Sequence, residues 1–381
     1  MNILIYTSIY PAPQEYQIPS DTKVVHYYAK EWKKAGHNVE VVYLHMIPVK
    51  KLIKSFRNIT KRKGFEAEYI IDGISVHMIE YQLLVPRANS LSPSQAKNAD
   101  KRLEKYFDGR GNWDKIFVHF PCSFKGIESM FKFNCTTMAV FHNIDLKMLR
   151  ANPETVKVMK KYRNFGGRSI KICKELSGLI PCDAHNVFSG IDEILIPSNE
   201  FIEEKCNRSS DMLKIVYAGN LIKLKNVNTI IEAVKQLDFE YQLDIIGDGP
   251  EKMNLMNISG TNSGIVFHGR LSRDETVSKM READVFVMVS SPETFGLVYI
   301  EAMAQGCITI GSLNEGIDGI IENRKNGFLV SAADVNELTS CFKEIYSMGH
   351  EQKKNIITSA YRDASKMTDS CMAEAYFTLN E

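Results

Sequence analysis

The sequence predicts an α/β protein with two domains, each built on a parallel sheet flanked by helices. Three observations lead to this prediction. The 381 residues suit two domains of about 150–200 residues better than one core. Short apolar runs alternate with segments whose apolar residues recur at helical spacing. Several of these runs end in small or polar residues, which is typical of strands reaching a ligand-binding edge. We expect residues 1–198 to form the first domain and 199–365 the second, with a helix at about 366–381 joining the first domain. If Ser189-Gly190-Ile191-Asp192 is the hinge turn instead, the boundary lies earlier.

The overall composition disfavours several classes of protein. The chain is 44% hydrophobic and 24% charged, which is typical of soluble globular proteins. Its net charge of +1 argues against a nucleic-acid partner. Apolar runs stop short of the ~18 residues that a membrane span needs, and the amino-terminal residues lack the basic region of a signal peptide. Eight scattered cysteines without a Cys-x-x-Cys pair disfavour zinc and disulfides. The composition therefore predicts a cytoplasmic protein without a metal centre.

The first half of the chain alternates strands and helices. The predicted elements are a strand at 2–8, a helix from Ser20 or Asp21 to about Ala35, a strand at 39–44, a hairpin of 69–71 and 74–79, a helix at 94–107, and strands at 115–119 and 137–141. Residues 152–177 read as helical with an interruption at Gly166-Gly167, and 192–198 as the last strand of this domain. His119 and His142 each close a predicted strand, so both are expected at the carboxyl edge of the sheet.

Residues 48–63 are the most basic segment. On a helical wheel Lys50, Lys54, Arg57 and Lys61 share one face, and apolar residues occupy another. Such a helix can rest on an anionic membrane surface. It can equally pack its apolar side on the sheet and leave the charges in water. Both interpretations stay open from the sequence.

The second half repeats the alternation. Strands are predicted at 213–219, 241–246, 265–269, 285–289 and 307–312, and the last helical stretch at about 353–381. The turn Gly247-Asp248-Gly249-Pro250 resembles part of a dinucleotide fingerprint, but Lys252 occupies the place of the third glycine. An NAD-dependent enzyme is therefore disfavoured.

The stretch from Ser291 to Met303 carries the clearest functional pattern. The apolar run 285–289 ends in two serines and a proline, and a helix is predicted to start near Leu297. A helix N-terminus at a sheet edge suits a phosphate, and Gly296 lets a ligand approach the backbone. Glu293 and Glu301, eight residues apart, can bracket a sugar nucleotide, with Glu293 on the sugar hydroxyls and Glu301 on the ribose. An ordinary strand–turn–helix with two surface glutamates is the plainer interpretation.

The residues around these glutamates resemble those of glycosyltransferase family 4, the retaining nucleotide-sugar transferases with the GT-B fold. Glu293-Thr294-Phe295-Gly296-Leu297-Val298, followed by Glu301-Ala302-Met303, is similar to that family's pair of glutamates. The segments 213–226, 265–271, 315–321 and 326–330 follow the family's pattern in the same order. The resemblance implies two Rossmann-like domains facing across a cleft, with the acceptor in the first domain and the donor in the second.

The resemblance also implies roles for individual residues. His142 and Glu293 are the expected catalytic residues, with His142 orienting the transferred sugar. The donor is expected to contact Gly219, Asn220, Lys225, Arg270, Thr294, Phe295, Gly296, Leu297, Val298 and Glu301. The acceptor is expected to contact Ser20, Asp21, Thr22 and His119. A metal ion is not required, because Lys225 and the helix N-terminus supply the charge that stabilises the diphosphate.

The chain departs from the family pattern at two places that bear on activity. Asn220 stands where an arginine is usual, which removes one charge from the phosphate clamp, although Lys223 or Arg270 can help. The loop Ile18-Pro19-Ser20-Asp21-Thr22 lacks the usual pair of glycines. These departures leave an alternative open, a non-catalytic GT-B subunit that binds a nucleotide sugar or supports a partner enzyme.

The resemblance implies a hexosyltransferase that uses a UDP- or GDP-linked sugar as co-substrate and needs no other cofactor. Its acceptor is expected to be a sugar or a lipid-linked sugar in the assembly of a capsule or another cell-surface polysaccharide or glycolipid. The expected location is the cytoplasm, or the inner face of the cell membrane as a peripheral protein. The sequence leaves the particular sugar, nucleotide and acceptor unspecified.

Overall fold

The computed structural model describes residues 1–13, 23–48, 65–83, 90–110, 112–208 and 211–379. The chain divides into two compact units. The first comprises Met1–Arg168, Ile172–Phe188 and Met372–Glu381, and the second comprises Ser169–Lys171 and Ser189–Cys371. The boundary expected from the sequence, after residue 198, falls within the second unit.

Within the described residues, the first unit has one eight-stranded sheet in the order β3-β4-β2-β1-β5-β6-β7-β8. Its strands are β1 (Asn2–Thr7), β2 (Asn38–Pro48), β3 (Glu66–Ile71), β4 (Ile74–Leu83), β5 (Lys115–His119), β6 (Thr136–Phe141), β7 (Asn164–Gly167) and β8 (Ala184–Asn186). Its helices are α1 (Val24–Lys34), α2 (Pro93–Phe107), α3 (Asn143–Ala151), α4 (Pro153–Met159) and α5 (Ile170–Leu179), the last beginning in residues grouped with the second unit. The pairing is parallel except between β3 and β4. Those two strands form the predicted hairpin, with Asp72 and Gly73 both at positive φ in its turn.

Two element predictions for the first half are wrong. Gly166 and Gly167 lie in strand β7 rather than in a break within a helix. A Cβ atom at Gly166 would lie 2.7 Å from Val187 Cγ2 and 2.8 Å from Met138 Cε, so the glycine permits close packing inside the sheet. Residues 193–195 form a short 3₁₀ turn instead of a strand, because the Asp192 side chain accepts a hydrogen bond from the Ile194 N–H.

The second unit has, among its described residues, a six-stranded parallel sheet in the order β11-β10-β9-β12-β13-β14. The strands are β9 (Leu213–Ala218), β10 (Tyr241–Ile246), β11 (Ile265–Gly269), β12 (Val285–Val287), β13 (Ile308–Ser312) and β14 (Phe328–Val330). The helices are α6 (Asn199–Cys206), α7 (Val227–Val234), α8 (Lys252–Ser259), α9 (Arg273–Glu282), α10 (Leu297–Ala304), α11 (Val335–Ser347) and α12 (His350–Ser365). The strand order reverses between β9 and β12, and ligands of open α/β sheets bind beyond the carboxyl ends of strands at such a point.

The predicted helical stretch at 353–381 is two helices, α12 and α13 (Asp369–Thr378), separated at residues 366–368. The later part of α13 packs within the first unit. Trp32 Nε1 donates to the Ala373 carbonyl at 2.9 Å, and Lys115 Nζ donates to the Phe377 carbonyl at 2.8 Å. Tyr376 is buried against Phe117, with 4.6 Å between ring centroids. The helix thus completes one of the two apolar cores that flank the first sheet.

Among the helices that the structure describes, none combines the length and the apolar character that crossing a bilayer requires.

Candidate functional site

Two loops meet at the switch point of the second sheet. One follows β9 and carries Lys225, and the other follows β12 and carries Glu293. Asn226 Nδ2 donates to the Val289 carbonyl at 2.8 Å, and the Ser291 N–H donates to the Leu224 carbonyl at 2.9 Å. Because β9 and β12 are neighbours in the sheet, the two loops are held together even though they lie far apart in the sequence.

Lys225 and Glu293 form an ion pair where these loops meet. Lys225 Nζ lies 2.6 Å from Glu293 Oε2, and the two side chains are 21% and 13% exposed. The pair is therefore shielded from bulk water but still open on one side. A charge in this setting interacts more strongly with a ligand than one on an open surface.

Three donors fix the Glu293 carboxylate. Besides Lys225, the Ser290 hydroxyl donates to Oε2 at 3.2 Å, and the Thr294 N–H donates to Oε1 at 2.9 Å. The side chain is therefore held in one orientation before a ligand binds. Such preorganisation is the condition under which a carboxylate contributes to orientation or to transition-state stabilisation.

The start of α10 depends on Gly296 and Tyr299. Gly296 has φ of 81°, and a Cβ atom there would lie 2.7 Å from the Tyr299 ring. Tyr299 is fully buried, and its hydroxyl donates to the Met288 carbonyl at 2.6 Å. The glycine thus lets the chain turn sharply from the loop into the helix that was predicted to start near Leu297.

Glu301 lies one turn into α10 and has a partner that the sequence did not reveal. Arg273 Nη2, at the start of α9, donates to Glu301 Oε1 at 2.7 Å. The carboxylate is mostly shielded, with 16% of the side chain exposed, whereas Arg273 is about half exposed. Glu301 is thus held by a cation that can itself reach solvent or a ligand.

The other residues that are expected to bind the nucleotide-sugar donor differ in their exposure to solvent. Phe295 is buried, so its side chain packs in the core and only its backbone is suited to a ligand contact. Gly219, Thr294, Leu297 and Val298 are half-buried near the loops, and Asn220 and Arg270 are exposed. The Asn220 carbonyl accepts a hydrogen bond from the Tyr217 hydroxyl at 3.0 Å, which fixes the backbone where the family usually has arginine.

In the first unit, His142 and His119 lie side by side at the carboxyl ends of β6 and β5. His119 Nδ1 is 3.4 Å from His142 Nε2, and His119 Nε2 is 3.3 Å from the Tyr376 hydroxyl. His142 also stacks on Phe120, with 3.7 Å between ring centroids. His119 has no exposed surface, whereas His142 is 9% exposed. In this arrangement His119 supports His142 instead of presenting its own ring to a ligand.

Asp145 anchors the segment that begins at His142. Its carboxylate accepts hydrogen bonds from the His142 N–H at 2.8 Å and the Cys122 N–H at 3.1 Å. Burial raises the pKa of Asp145 to about 7, although these hydrogen bonds act in the opposite direction. Burial also lowers the pKa of His142 well below its usual value, and His119 and Arg168 contribute to this shift. His142 is therefore neutral near pH 7, which suits hydrogen bonding better than proton removal from an acceptor.

Some predicted residues lie outside the part of the chain that the structure describes. These are Ser20, Asp21 and Thr22, expected at the acceptor, and residues 49–63 of the basic segment. Among the residues that are described, no group of three or more His, Cys, Asp or Glu side chains is arranged to hold a metal ion.

Comparison with known proteins identifies the second unit. Residues 198–363 match the family described as Glycosyl transferases group 1. The second unit is thus similar to the group 1 glycosyltransferases. The matched region contains both loops of the candidate site and helix α10, so the resemblance read from the sequence is confirmed at the level of the group.

Curated relatives of this chain are distant. The sulfoquinovosyl transferase SQD2 of Arabidopsis thaliana is 31% identical over 159 residues, covering 41% of this chain and 30% of the relative. The N-acetyl-alpha-D-glucosaminyl L-malate synthase of Bacillus anthracis is 22% identical over 254 residues, covering 59% and 63%. The putative teichuronic acid biosynthesis glycosyltransferase TuaC of Bacillus subtilis is 24% identical over 327 residues, covering 80% and 79%. The chain thus matches less than two thirds of the first two relatives.

Solved structures show the fold. The sucrose-phosphate synthase of Thermosynechococcus elongatus has a TM-score of 0.68 at 15% identity, covering 99% of this chain and 98% of that one. Anabaena Alr3699/HepE in complex with UDP and glucose has a TM-score of 0.65 at 16% identity, covering 99% and 98%. A UDP-forming trehalose-phosphate synthase of Burkholderia xenovorans has a TM-score of 0.69 at 11% identity, covering 99% and 97%. The chain has the GT-B fold, with two parallel-sheet domains, as predicted.

Sequence reasoning missed two residues that shape these sites, Arg273 and Asp145. Arg273 follows Ser272 at the cap of α9, which marks a helix start but not an ion pair with Glu301. Asp145 is three residues into α3, where an acidic residue is usual for helix capping alone. The Glu301 partner of Arg273 and the Cys122 partner of Asp145 lie on other elements, so no local pattern points to these contacts.

Proposed function

We propose that this chain is a glycosyltransferase that moves a hexose-type sugar from a nucleotide-sugar donor to an acceptor hydroxyl with retention of anomeric configuration. The ion pair of Lys225 with Glu293, beside the amino end of α10, is the observation that carries the proposal. It places a cation and a fixed carboxylate at the switch point of the donor-type sheet. A diphosphate and a sugar need these two kinds of group at neighbouring positions.

The diphosphate is the part of the donor on which negative charge develops as the sugar leaves. Lys225 and the N–H groups at the start of α10 are suited to stabilising this charge. We propose that they do so without a required metal ion, with Arg270 as further support. Glu301 on the ribose and Glu293 on the sugar hydroxyls complete the proposed donor contacts.

Same-face attack is the mechanism we propose for retention. The acceptor oxygen forms its bond to the anomeric carbon on the side from which the diphosphate departs, and a donor phosphate oxygen takes the acceptor proton. His142, neutral and fixed by His119 and Phe120, is suited to orienting the sugar by hydrogen bonding. In this proposal it does not act as the base.

The donor nucleotide and the acceptor are proposed from relatives. A UDP complex and a UDP-forming synthase among the structures with this fold favour UDP over GDP as the first donor to test. Relatives named for teichuronic acid, lipopolysaccharide core and sulfoquinovosyl transfer favour a cell-surface polysaccharide or glycolipid acceptor, such as a capsule precursor. A lipid-linked acceptor would place the enzyme at the inner membrane surface, with residues 48–63 as the proposed contact.

Binding and slow donor hydrolysis test this proposal together. Purified enzyme would be screened with UDP- and GDP-sugars by thermal shift, since a ligand at 100 times its Kd stabilises a protein by about 2.7 kcal/mol. We expect one nucleotide class to raise the Tm and its sugar to be released slowly in water. Binding without any hydrolysis would instead support the non-catalytic subunit. The absence of both binding and hydrolysis would contradict the proposed donor site.

A further inference from the structure

Glu315 is a buried carboxylate in the loop after β13 that the donor contacts proposed above leave without a role. Its two oxygens face the loop that carries Glu293. The Ser291 hydroxyl donates to Oε1 at 2.8 Å, and the Glu293 N–H donates to Oε2 at 2.9 Å. One side chain thus holds two positions of the loop after β12. Lys171, which groups with the second unit, also donates to Oε2 at 2.9 Å.

Gly316, the residue after Glu315, also bonds to the backbone of Glu293. The Gly316 N–H donates to the Glu293 carbonyl at 3.2 Å. A Cβ atom at Gly316 would lie 2.1 Å from the Thr294 carbonyl oxygen, so only glycine fits this approach. Both backbone polar groups of Glu293 are therefore bonded to residues 315–316.

Two separate sets of hydrogen bonds fix Glu293. Its carboxylate is oriented by Lys225, Ser290 and the Thr294 N–H, and its backbone is held by Glu315 and Gly316. A donor that binds Lys225 competes for the first set of bonds. The second set does not involve the expected ligand contacts, so it can persist while the donor is bound.

We infer that Glu315 is a positioning residue that fixes the backbone of the Glu293 loop in its donor-binding conformation. The inference rests on the proposed function and extends it to a residue outside the donor contacts. Hydrogen bonds from a backbone N–H and a hydroxyl to a buried carboxylate are charge-assisted, and removal of the carboxylate leaves both donors without that partner in a site shielded from water. Displacement of a reacting group by about 1 Å can lower a rate by about 10²-fold.

Two substitutions at Glu315 distinguish the effect of its hydrogen-bond geometry from the effect of its negative charge. Glu315→Ala removes both acceptors. Glu315→Gln keeps an acceptor for the Glu293 N–H and can donate its amide to the Ser291 oxygen, so it preserves the geometry while losing the charge. Glu322→Gln, at an exposed glutamate in the connection between β13 and β14, is the matched control.

Hydrogen exchange and donor turnover would be measured on the full-length variants. We expect amide exchange in a peptide spanning 289–296 to accelerate at least about fivefold in Glu315→Ala and to stay near wild type in Glu315→Gln and Glu322→Gln. We expect kcat for the donor to fall about tenfold or more in Glu315→Ala and to stay within about threefold in Glu315→Gln.

Unchanged exchange in Glu315→Ala would overturn the inference, and so would faster exchange with wild-type kcat. A glutamine variant as impaired as the alanine variant in both readouts would overturn the geometric role in favour of charge. If Glu315→Ala does not fold, Ser291→Ala provides the test, because it removes one of the two bonds and is expected to raise exchange by a smaller factor. Loss of the proposed function is a separate result: the wild type would then lack turnover, while exchange still reports whether Glu315 holds the loop.

Discussion

Lys225 donates to Glu293 across 2.6 Å, so the residues that we propose to bind the phosphate and the sugar form an ion pair with each other. Both are partly shielded from water, which makes an unpaired charge at either position costly. In the proposed function, a donor diphosphate would give Lys225 a new anionic partner and would release one oxygen of Glu293 for the sugar. The pair is thus suited to exchanging an internal contact for two contacts with the ligand.

Removal of either member of this pair is expected to lower donor turnover at least about tenfold. Lys225→Ala takes away the charge that faces the leaving group, and Glu293→Gln weakens the hold on the sugar. Steady-state kinetics with the donor found in the thermal-shift screen would measure the effect. Lys325→Ala and Glu322→Gln are matched controls, since those residues form an exposed ion pair in the same unit. Near-normal turnover in both site variants would contradict the assignment.

Glu301→Gln is expected to raise the KM for the donor about tenfold with little change in kcat. The ribose lies far from the bond that breaks, so its contacts stabilise the ground state and the transition state alike. Arg273→Ala distinguishes ligand binding from structure, because it breaks the same ion pair but leaves the carboxylate. We expect KM in Arg273→Ala to stay within about threefold of wild type. Equal increases in KM in the two variants would show that donor binding depends on the ion pair rather than on a contact between Glu301 and the ribose.

Asn220→Arg is expected to tighten donor binding by about three- to tenfold. Charge-assisted hydrogen bonds contribute roughly 1.5–3 kcal/mol, and the exposure of this position reduces that figure. Isothermal titration with the nucleotide diphosphate would measure the change. Asn228→Arg adds the same charge at an exposed position on α7 and serves as the control. Equal tightening in both variants would indicate a general effect of net charge.

The stability of the first unit is expected to decrease as the pH falls from 7 to 5. Burial lowers the pKa of His119 and His142 below 6.5 in the folded chain, so the unfolded chain binds more protons below that pH. Their contribution is complete above about pH 6.5 and is lost as the pH falls further. Asp145 acts in the opposite sense between about pH 4 and 7, because its pKa is raised in the folded chain.

Tryptophan fluorescence can follow this pH dependence, since both tryptophans, Trp32 and Trp113, lie in the first unit. Comparison of wild type with His119→Gln at pH 7, 6 and 5 isolates the histidine effect, and the variant is expected to lose less Tm over this range. His350→Gln, at an exposed histidine of the second unit, is expected to follow wild type. A steeper loss in His119→Gln would show the sign to be wrong.

Local patterns predicted the parts of this protein that depend on neighbours in sequence. The strand–turn–helix around Gly296 and the Asp72-Gly73 hairpin were both correct because glycine and turn residues specify their own backbone. Gly166 was misread for the same reason: a glycine reads as a break, yet here it is required by the packing of Met138 on β6 and of Val187 just after β8. The links of Glu301 to Arg273 and of Glu293 to Glu315 depend on strand order, which residue spacing alone does not reveal.

The packing of α13 affects the order in which this chain can fold. Trp32, Phe117 and Lys115 take partners from residues 373–377, which are synthesised only after the whole of residues 189–371. During translation, one apolar face of the amino-terminal sheet therefore stays uncovered until residues 373–377 have been synthesised. Nascent chains of this protein present a period of exposed hydrophobic surface, in which chaperone binding or aggregation competes with completion of the first core.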